Sequence, residues 1–175
     1  LETFAEPREI VENPRYERDR RRVMSAFESQ SIDSPILDVI QELAGLPHCF
    51  TLQSCYGHFV YAAQPDPHNL AVLPAEDVGP VRYRIAYVAL CIEQGAAGGR
   101  LRRALGEIPT IDPEYVQFGS PGYFWDRFPN SYALQVEPER FMLEDAAVIG
   151  HREALHVQRV RDRFFQRLRE LVDDI

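Results

Sequence analysis

At 175 residues, with 45 % hydrophobic and 11 % aromatic content, the chain has enough apolar material for one packed domain and is excluded from the disordered class. Its formal charge of −8 sets up a field that repels nucleic acid and anionic membrane, so contact with either needs a local basic patch. All 19 basic residues are arginine, which excludes lysine Schiff-base chemistry, a P-loop lysine and a lysine general base, and keeps the residue best suited to bidentate capture of phosphate or carboxylate.

Residues 1–14 carry Pro7 and Pro14 among charges and read as a loose lead-in to a single domain spanning 1–175. The run from Tyr16 to Phe27 places Val23, Met24 and Phe27 on one helix edge, with the charges of 18–22 on a solvated face. In "SPILDVIQELAGL", Ser34 is the expected cap, Pro35 suits the first helical position and Gly45 the stop; Ile36, Ile40 and Leu43 line one face. Strand signals follow at 49–53, 58–63 and 70–73, and then a long alternating run at 81–90. There Val81, Tyr83, Ile85 and Tyr87 share one face, and Arg82, Arg84, Ala86 and Val88 share the other. A helix is expected over 96–108, weakened by its glycines, then two strands in "EYVQFG" and "SYALQVEP" joined by the aromatic loop "SPGYFWDRFPN". Val157, Val160, Phe164, Leu168 and Leu171 recur at helical steps and define a long C-terminal amphipathic helix beginning before His151, with His151 and His156 expected at the surface. The fold class expected is α+β: a mixed, largely antiparallel sheet flanked by helices.

Cys49, Cys55 and Cys91 are an odd number in a chain that needs no disulfide, which points to a reducing, cytoplasmic setting. Charges or prolines interrupt every apolar run short of a membrane span. The chain begins at Leu1 rather than methionine, so an upstream segment, such as a cleaved signal peptide, is expected to have been removed or omitted.

The stretch "TLQSCYGHFV" holds a thiol, a glycine and a histidine within four residues, directly after a strand signal. Several readings are open there. Gly57 permits a tight turn whose exposed N–H groups hold an anion, with Ser54 and His58 adding donors. Cys55 is a nucleophile with His58 as base only if residues three apart, which an extended strand sends to opposite faces, are brought together. His48, Cys49, Cys55 and His58 are of ligand type for zinc, but their spacing departs from paired-cysteine sites. The structural alternative is a plain strand connection with a buried cysteine. Elsewhere, Arg82 and Arg84, with Arg100, Arg102 and Arg103, form either a local anion surface or solvated faces. Tyr123, Phe124, Trp125 and Phe128 either stack on a flat ring or close the core.

In order of elements, "IDSPILDVIQELAGL" followed by "FTLQSCYGHFVY" resembles the tRNA wybutosine-synthesising protein 3 family, where an Asp-led helix precedes Thr-Thr-Ser-Ser-Cys-Ser-Gly-Arg and a strand. Thr51, Ser54, Cys55 and Gly57 stand at matching positions, while Gln53, Tyr56 and His58 replace two serines and the arginine. "FGSPGYF", with Ser120, takes the place of that family's Ser-Gly segment. The resemblance implies S-adenosylmethionine-dependent methyl transfer to a modified guanosine of tRNA. It also implies a small-molecule or nucleotide site at Thr51, Ser54, Cys55, Gly57, His58 and Ser120, with Cys55 structural. The alternative is a non-catalytic ligand-binding or interaction domain on the same fold.

Overall fold

The two strand-forming runs around "SCYGH" and "VRYRIAYVAL" pair with each other as one antiparallel hairpin that is bent in the middle. In the computed structural model, which describes residues 5–174, they form β1 (Cys49–Cys55), β2 (His58–Val60), β3 (Val81–Arg84) and β4 (Ala86–Ile92). The pairing of Gln53–Cys55 with Tyr87–Ala89 continues in unchanged register to His58–Val60 against Arg82–Arg84. Between these two stretches both chains cross a corner, so β1 and β4 lie in one sheet and β2 and β3 in another.

The single strand expected over 81–90 is therefore two strands, and the faces assigned to it change at Ile85. The Tyr83 hydroxyl accepts the Ala86 N–H at 2.8 Å and donates to the Val136 carbonyl at 2.7 Å, which takes the place of a ladder bond at the bend. Ile85 uses up one step of the alternation. Val81 and Tyr83 point into the core before the corner, and Ala86 and Val88 do so after it. Tyr87 is thereby turned to the opposite side.

β5 (Val116–Gly119) and β6 (Ser131–Val136) complete a four-stranded sheet in the order β1-β4-β6-β5, and β7 (Ala146–Ile149) completes a three-stranded sheet in the order β2-β3-β7. All pairings are antiparallel. The residues before His151 thus form a strand rather than the start of the last helix. Buried Ala147 and Ile149 alternate with Val148, which is exposed, and Gly150 separates strand from helix. The strand expected at 70–73 is coil: Val72 faces solvent, and the Leu73 N–H goes to Gln158 Oε1 at 2.8 Å instead of to a neighbouring strand.

Five α-helices surround the sheets among the described residues: α1 (Tyr16–Ser25), α2 (Leu37–Gly45), α3 (Ala96–Glu107), the short α4 (Gly122–Trp125) and α5 (His151–Asp173). Ser34 does not cap α2; Ser34–Ile36 form a separate 3-10 turn, and the N-cap position falls to Ile36, which has no polar side chain to offer. Its other end is held by Arg20 of α1, whose guanidinium donates to the Ala44, Leu46 and Cys49 carbonyls. Leu43 of α2, Leu101 of α3 and Phe164 of α5 join Val88, Leu90 and Ile92 in the main core; Tyr16, Phe50 and Cys91 form a second one, under α1.

Within 5–14 the lead-in has no regular structure, yet it is held at several points. Ser120 Oγ accepts the Arg8 N–H at 2.9 Å, and Asn130 exchanges two bonds of 2.8 Å with the Val11 backbone. Tyr132 Oη and Arg102 both donate to the Arg8 carbonyl, so Arg102 belongs to this strap rather than to an anion surface.

Candidate functional site

The corner of the bent hairpin is built around Gly57. Its φ of +90° lies where L-residues are strained, and a Cβ there would sit 2.9 Å from Ala86 Cβ, so glycine lets the two bends close on each other. Behind the corner, Arg161 of α5 is 2 % exposed. It donates to the Gly57 carbonyl at 3.2 Å and to Tyr56 Oη at 2.9 Å, and its guanidinium lies 3.9 Å from the Tyr56 ring centroid. Its charge is met by Asp162 Oδ1 at 2.9 Å. Such a planar fork fixes a loop more tightly than an ammonium group can.

In front of the corner lies Asp33, from the loop before α2. Its Oδ2 accepts the Tyr56 N–H at 2.8 Å and lies 3.3 Å from His58 Nε2. The Gly57 N–H is directed at Cys55 Sγ, 3.4 Å away. The turn does bind an anion through its backbone, but the carboxylate comes from this chain. The expectation that free N–H groups of the turn receive a ligand's carboxylate or phosphate is corrected accordingly.

Asp33, Cys55 and His58 each offer one ligand-type atom, and these lie within 4.8 Å of one another. Cys55 and His58 are therefore not driven to opposite faces, because the strand they were assigned to turns at Gly57 between them. His58 Nδ1 faces the Asn69 carbonyl at 2.9 Å. Hydrogen bonding to Asp33, then to Cys55, outweighs burial and pushes the imidazole up to about 10. Burial acts to raise the Asp33 carboxyl, but hydrogen bonds from His58 and the Tyr56 N–H bring it below the usual carboxylate range.

The other two thiols stand apart. Cys49 is buried with Sγ donating to the Leu43 carbonyl at 3.1 Å, and Cys91 is buried in the second core; burial pushes both up to about 12. The zinc set His48, Cys49, Cys55 and His58 is not assembled. Among the described residues, the cluster that forms replaces His48 and Cys49 with Asp33.

Two cavities of about 690 Å³ each adjoin the corner and share Ser31, Gln53, Ser54 and Tyr87 along their common border. Thr51 lines the first, beside Arg22 and Arg127; Cys55 and His58 line the second, beside Tyr123 and Phe124 of α4. Of the expected site residues, Ser54 thus faces both cavities, and Gly57 is structural. Ser120 lines neither cavity and is fully buried, its hydroxyl holding Arg8. The aromatic loop divides its tasks. Tyr123 is exposed at the second cavity, Trp125 packs edge-on against Tyr132 and Phe128 against Phe50. His151 is buried against the Pro74 carbonyl and His156 pairs with Asp112 at 2.8 Å, so neither is a free surface group.

Sequence reasoning did not single out Asp33, Tyr87, Asn69 or Arg161. For Arg161 a signal was present: it falls four residues after Val157 and four before Phe165, on the buried stripe of α5. Asp33 and Asn69 reach the corner through loops, which have no periodicity to read.

No helix among the described residues is long and apolar enough to cross a membrane. No protein-family model matches the sequence, and no curated protein matches it. Among solved structures the chain is similar to the PH1069 protein from Pyrococcus horikoshii, with a TM-score of 0.51 at 11 % identity, covering 90 % of this chain and 92 % of that one. At that identity the likeness is one of fold.

Proposed function

We propose that this protein is an S-adenosylmethionine-dependent methyltransferase acting on a nucleoside of tRNA, as the sequence resemblance implies. The observation that carries the reading is the pair of adjoining cavities that meet at Gln53, Ser54 and Tyr87. Methyl transfer needs a donor and an acceptor held in line, and two compartments with a shared border suit that requirement. The second cavity combines Tyr123 and Phe124 with Glu144 and Asp145, a set of flat rings and acidic groups that suits adenine and a cationic sulfonium. In the first, Arg22 and Arg127 supply positive charge suited to phosphate on an otherwise acidic molecule. The residues fit a donor bound through its adenosine and sulfonium; they do not fit a donor carboxylate held by the Ser54–Gly57 backbone, where Asp33 already sits. Methyl transfer is the chemistry that donor supplies, and the protein's part is to bind and orient.

Occupation of the turn by Asp33 also favours a second reading, a non-catalytic ligand-binding or interaction domain on the same fold. Thermal unfolding with S-adenosylmethionine, against adenosine and ATP, separates the two. A donor at about 100 times its dissociation constant stabilises the fold by about 2.7 kcal/mol, a rise of roughly 5–11 °C for a chain of this size. A selective rise that disappears in Tyr87→Ala is expected. No rise for the donor overturns the methyltransferase reading.

A further inference from the structure

The geometry points to a divalent transition-metal site, of the zinc class, formed by Asp33, Cys55 and His58 and open to the cavity that these residues line. Nothing in the proposed methyl transfer calls for a metal, and the inference stands apart from that reading.

The argument starts from the histidine. A carbonyl oxygen only accepts, so at 2.9 Å from the Asn69 carbonyl His58 Nδ1 carries a proton in either charge state of the ring. Nε2 then has two options. It holds a second proton, or its lone pair points at the space shared with the Asp33 carboxylate and the Cys55 sulfur. In the second case the lone pair, the Asp33 carboxylate and the Cys55 sulfur converge on one point, which a metal cation can occupy in place of the Nε2 proton. A histidine whose far nitrogen is fixed by a backbone carbonyl is also the arrangement that orients metal-binding imidazoles.

The distances agree with this. Two nitrogen or oxygen ligands at zinc distances of about 2.0–2.1 Å lie about 3.3–3.4 Å apart in a tetrahedron. His58 Nε2 and Asp33 Oδ2 are 3.3 Å apart, and Cys55 Sγ lies within 4.8 Å of both. The supporting bonds are in place: Asp33 is held by the Tyr56 N–H, and Sγ by the Gly57 N–H.

Donor type selects the metal. One thiolate, one imidazole and one carboxylate suit zinc and its first-row neighbours rather than magnesium or calcium, which take oxygen ligands. Charge balances as well: a divalent ion replaces the proton on Nε2 and the proton on Sγ, and two protons leave. Three protein ligands with a remaining position facing a cavity is the pattern of sites that bind water or substrate, not of closed structural zinc. The remaining position takes a water or a ligand heteroatom from the second cavity.

The test is titration of chelator-treated full-length protein with cobalt(II), followed by zinc(II) competition. The expected result is a thiolate-to-cobalt charge-transfer band that saturates at one equivalent and is abolished by zinc. Cys55→Ser removes the band while Cys49 and Cys91 remain, and Asp33→Asn weakens binding by more than about 100-fold, beyond the loss seen when only a ligand's hydrogen-bond partner is changed. Absence of the band from the wild-type protein overturns the site, as does a band that survives in Cys55→Ser. Should Cys55→Ser fail to fold, the wild-type titration and Asp33→Asn still decide. Because this readout uses neither S-adenosylmethionine nor RNA, its failure is separate from that of the methyltransferase reading.

Discussion

Glu137, at the end of β6, is fully buried. Its Oε2 has a 3.4 Å bond from Gln135 Nε2, while Oε1 has no hydrogen-bond partner among the described residues. Burial, and then the charges of Asp145 and Glu144, push the carboxyl up to about 9. The folded protein therefore holds this proton over a range in which the unfolded chain, near its ordinary value of about 4.3, has released it. A raised folded-state value means the contribution to stability is full below the unfolded value and is lost as pH rises toward the folded one. The slope is about 1.4 kcal/mol per pH unit, or about 4 kcal/mol between pH 5 and pH 8. Glu137→Gln keeps the shape and the neutral state but has no proton to lose. Denaturant unfolding of both proteins at one-unit pH steps isolates the effect, since every other titrating group is common to the pair. The variant is expected to gain on the wild type by about 2–4 kcal/mol across that interval. Parallel stability curves would refute the argument and mean that Glu137 is ionised, with its charge met by groups that move toward it.

Two further outcomes follow from the corner. Gly57→Ala combines positive-φ strain with a Cβ 2.9 Å from Ala86 Cβ and 3.1 Å from the Tyr83 ring, and is expected to cost about 2–4 kcal/mol in denaturant unfolding; a loss below about 1 kcal/mol would show that the bend relaxes freely. Arg161→Lys keeps the charge but not the fork or the stacking on Tyr56, and is expected to cost about 1–3 kcal/mol, whereas exposed Arg159→Lys is neutral by the same assay. Equal effects of the two lysine variants would remove Arg161 from its positioning role.

The α+β class, the C-terminal helix and most strands were legible because apolar periodicity records which side of an element meets the core. That signal also led the reading astray at Ile85. Alternation continued through the corner looks like one strand, although a buried tyrosine hydroxyl has replaced a backbone partner there. The stretch 146–149 was absorbed into α5 because short apolar runs beside a helix carry no distinguishing period. At the candidate site, Ser54, Cys55 and His58 were singled out from local composition. Their partner Asp33 was not, because its role depends on a loop meeting a turn more than twenty residues away. Ser120 was named only through the resemblance of "FGSPGYF" to the Ser-Gly segment of the wybutosine-synthesising family, and here its hydroxyl holds the chain itself.

The strap formed by residues 5–13 has one more consequence. Ser120, Asn130, Tyr132 and Arg102 bind it through its main-chain amides and carbonyls, while Glu6, Glu9 and Glu12 face solvent and Ile10 packs against the core. The body of the protein thus holds its own leading segment as a bound peptide, chiefly through its backbone and the Ile10 anchor, with Arg102 also pairing with Glu9 at 3.2 Å and Arg8 lying over the Trp125 ring. Asn130, at φ +67°, accepts the Val11 N–H and donates to the Val11 carbonyl, so a side chain without an amide there would release the strap at that point. Such an arrangement can be divided: a cut at the exposed Arg15 would leave a groove that a separate peptide of the same backbone form could refill.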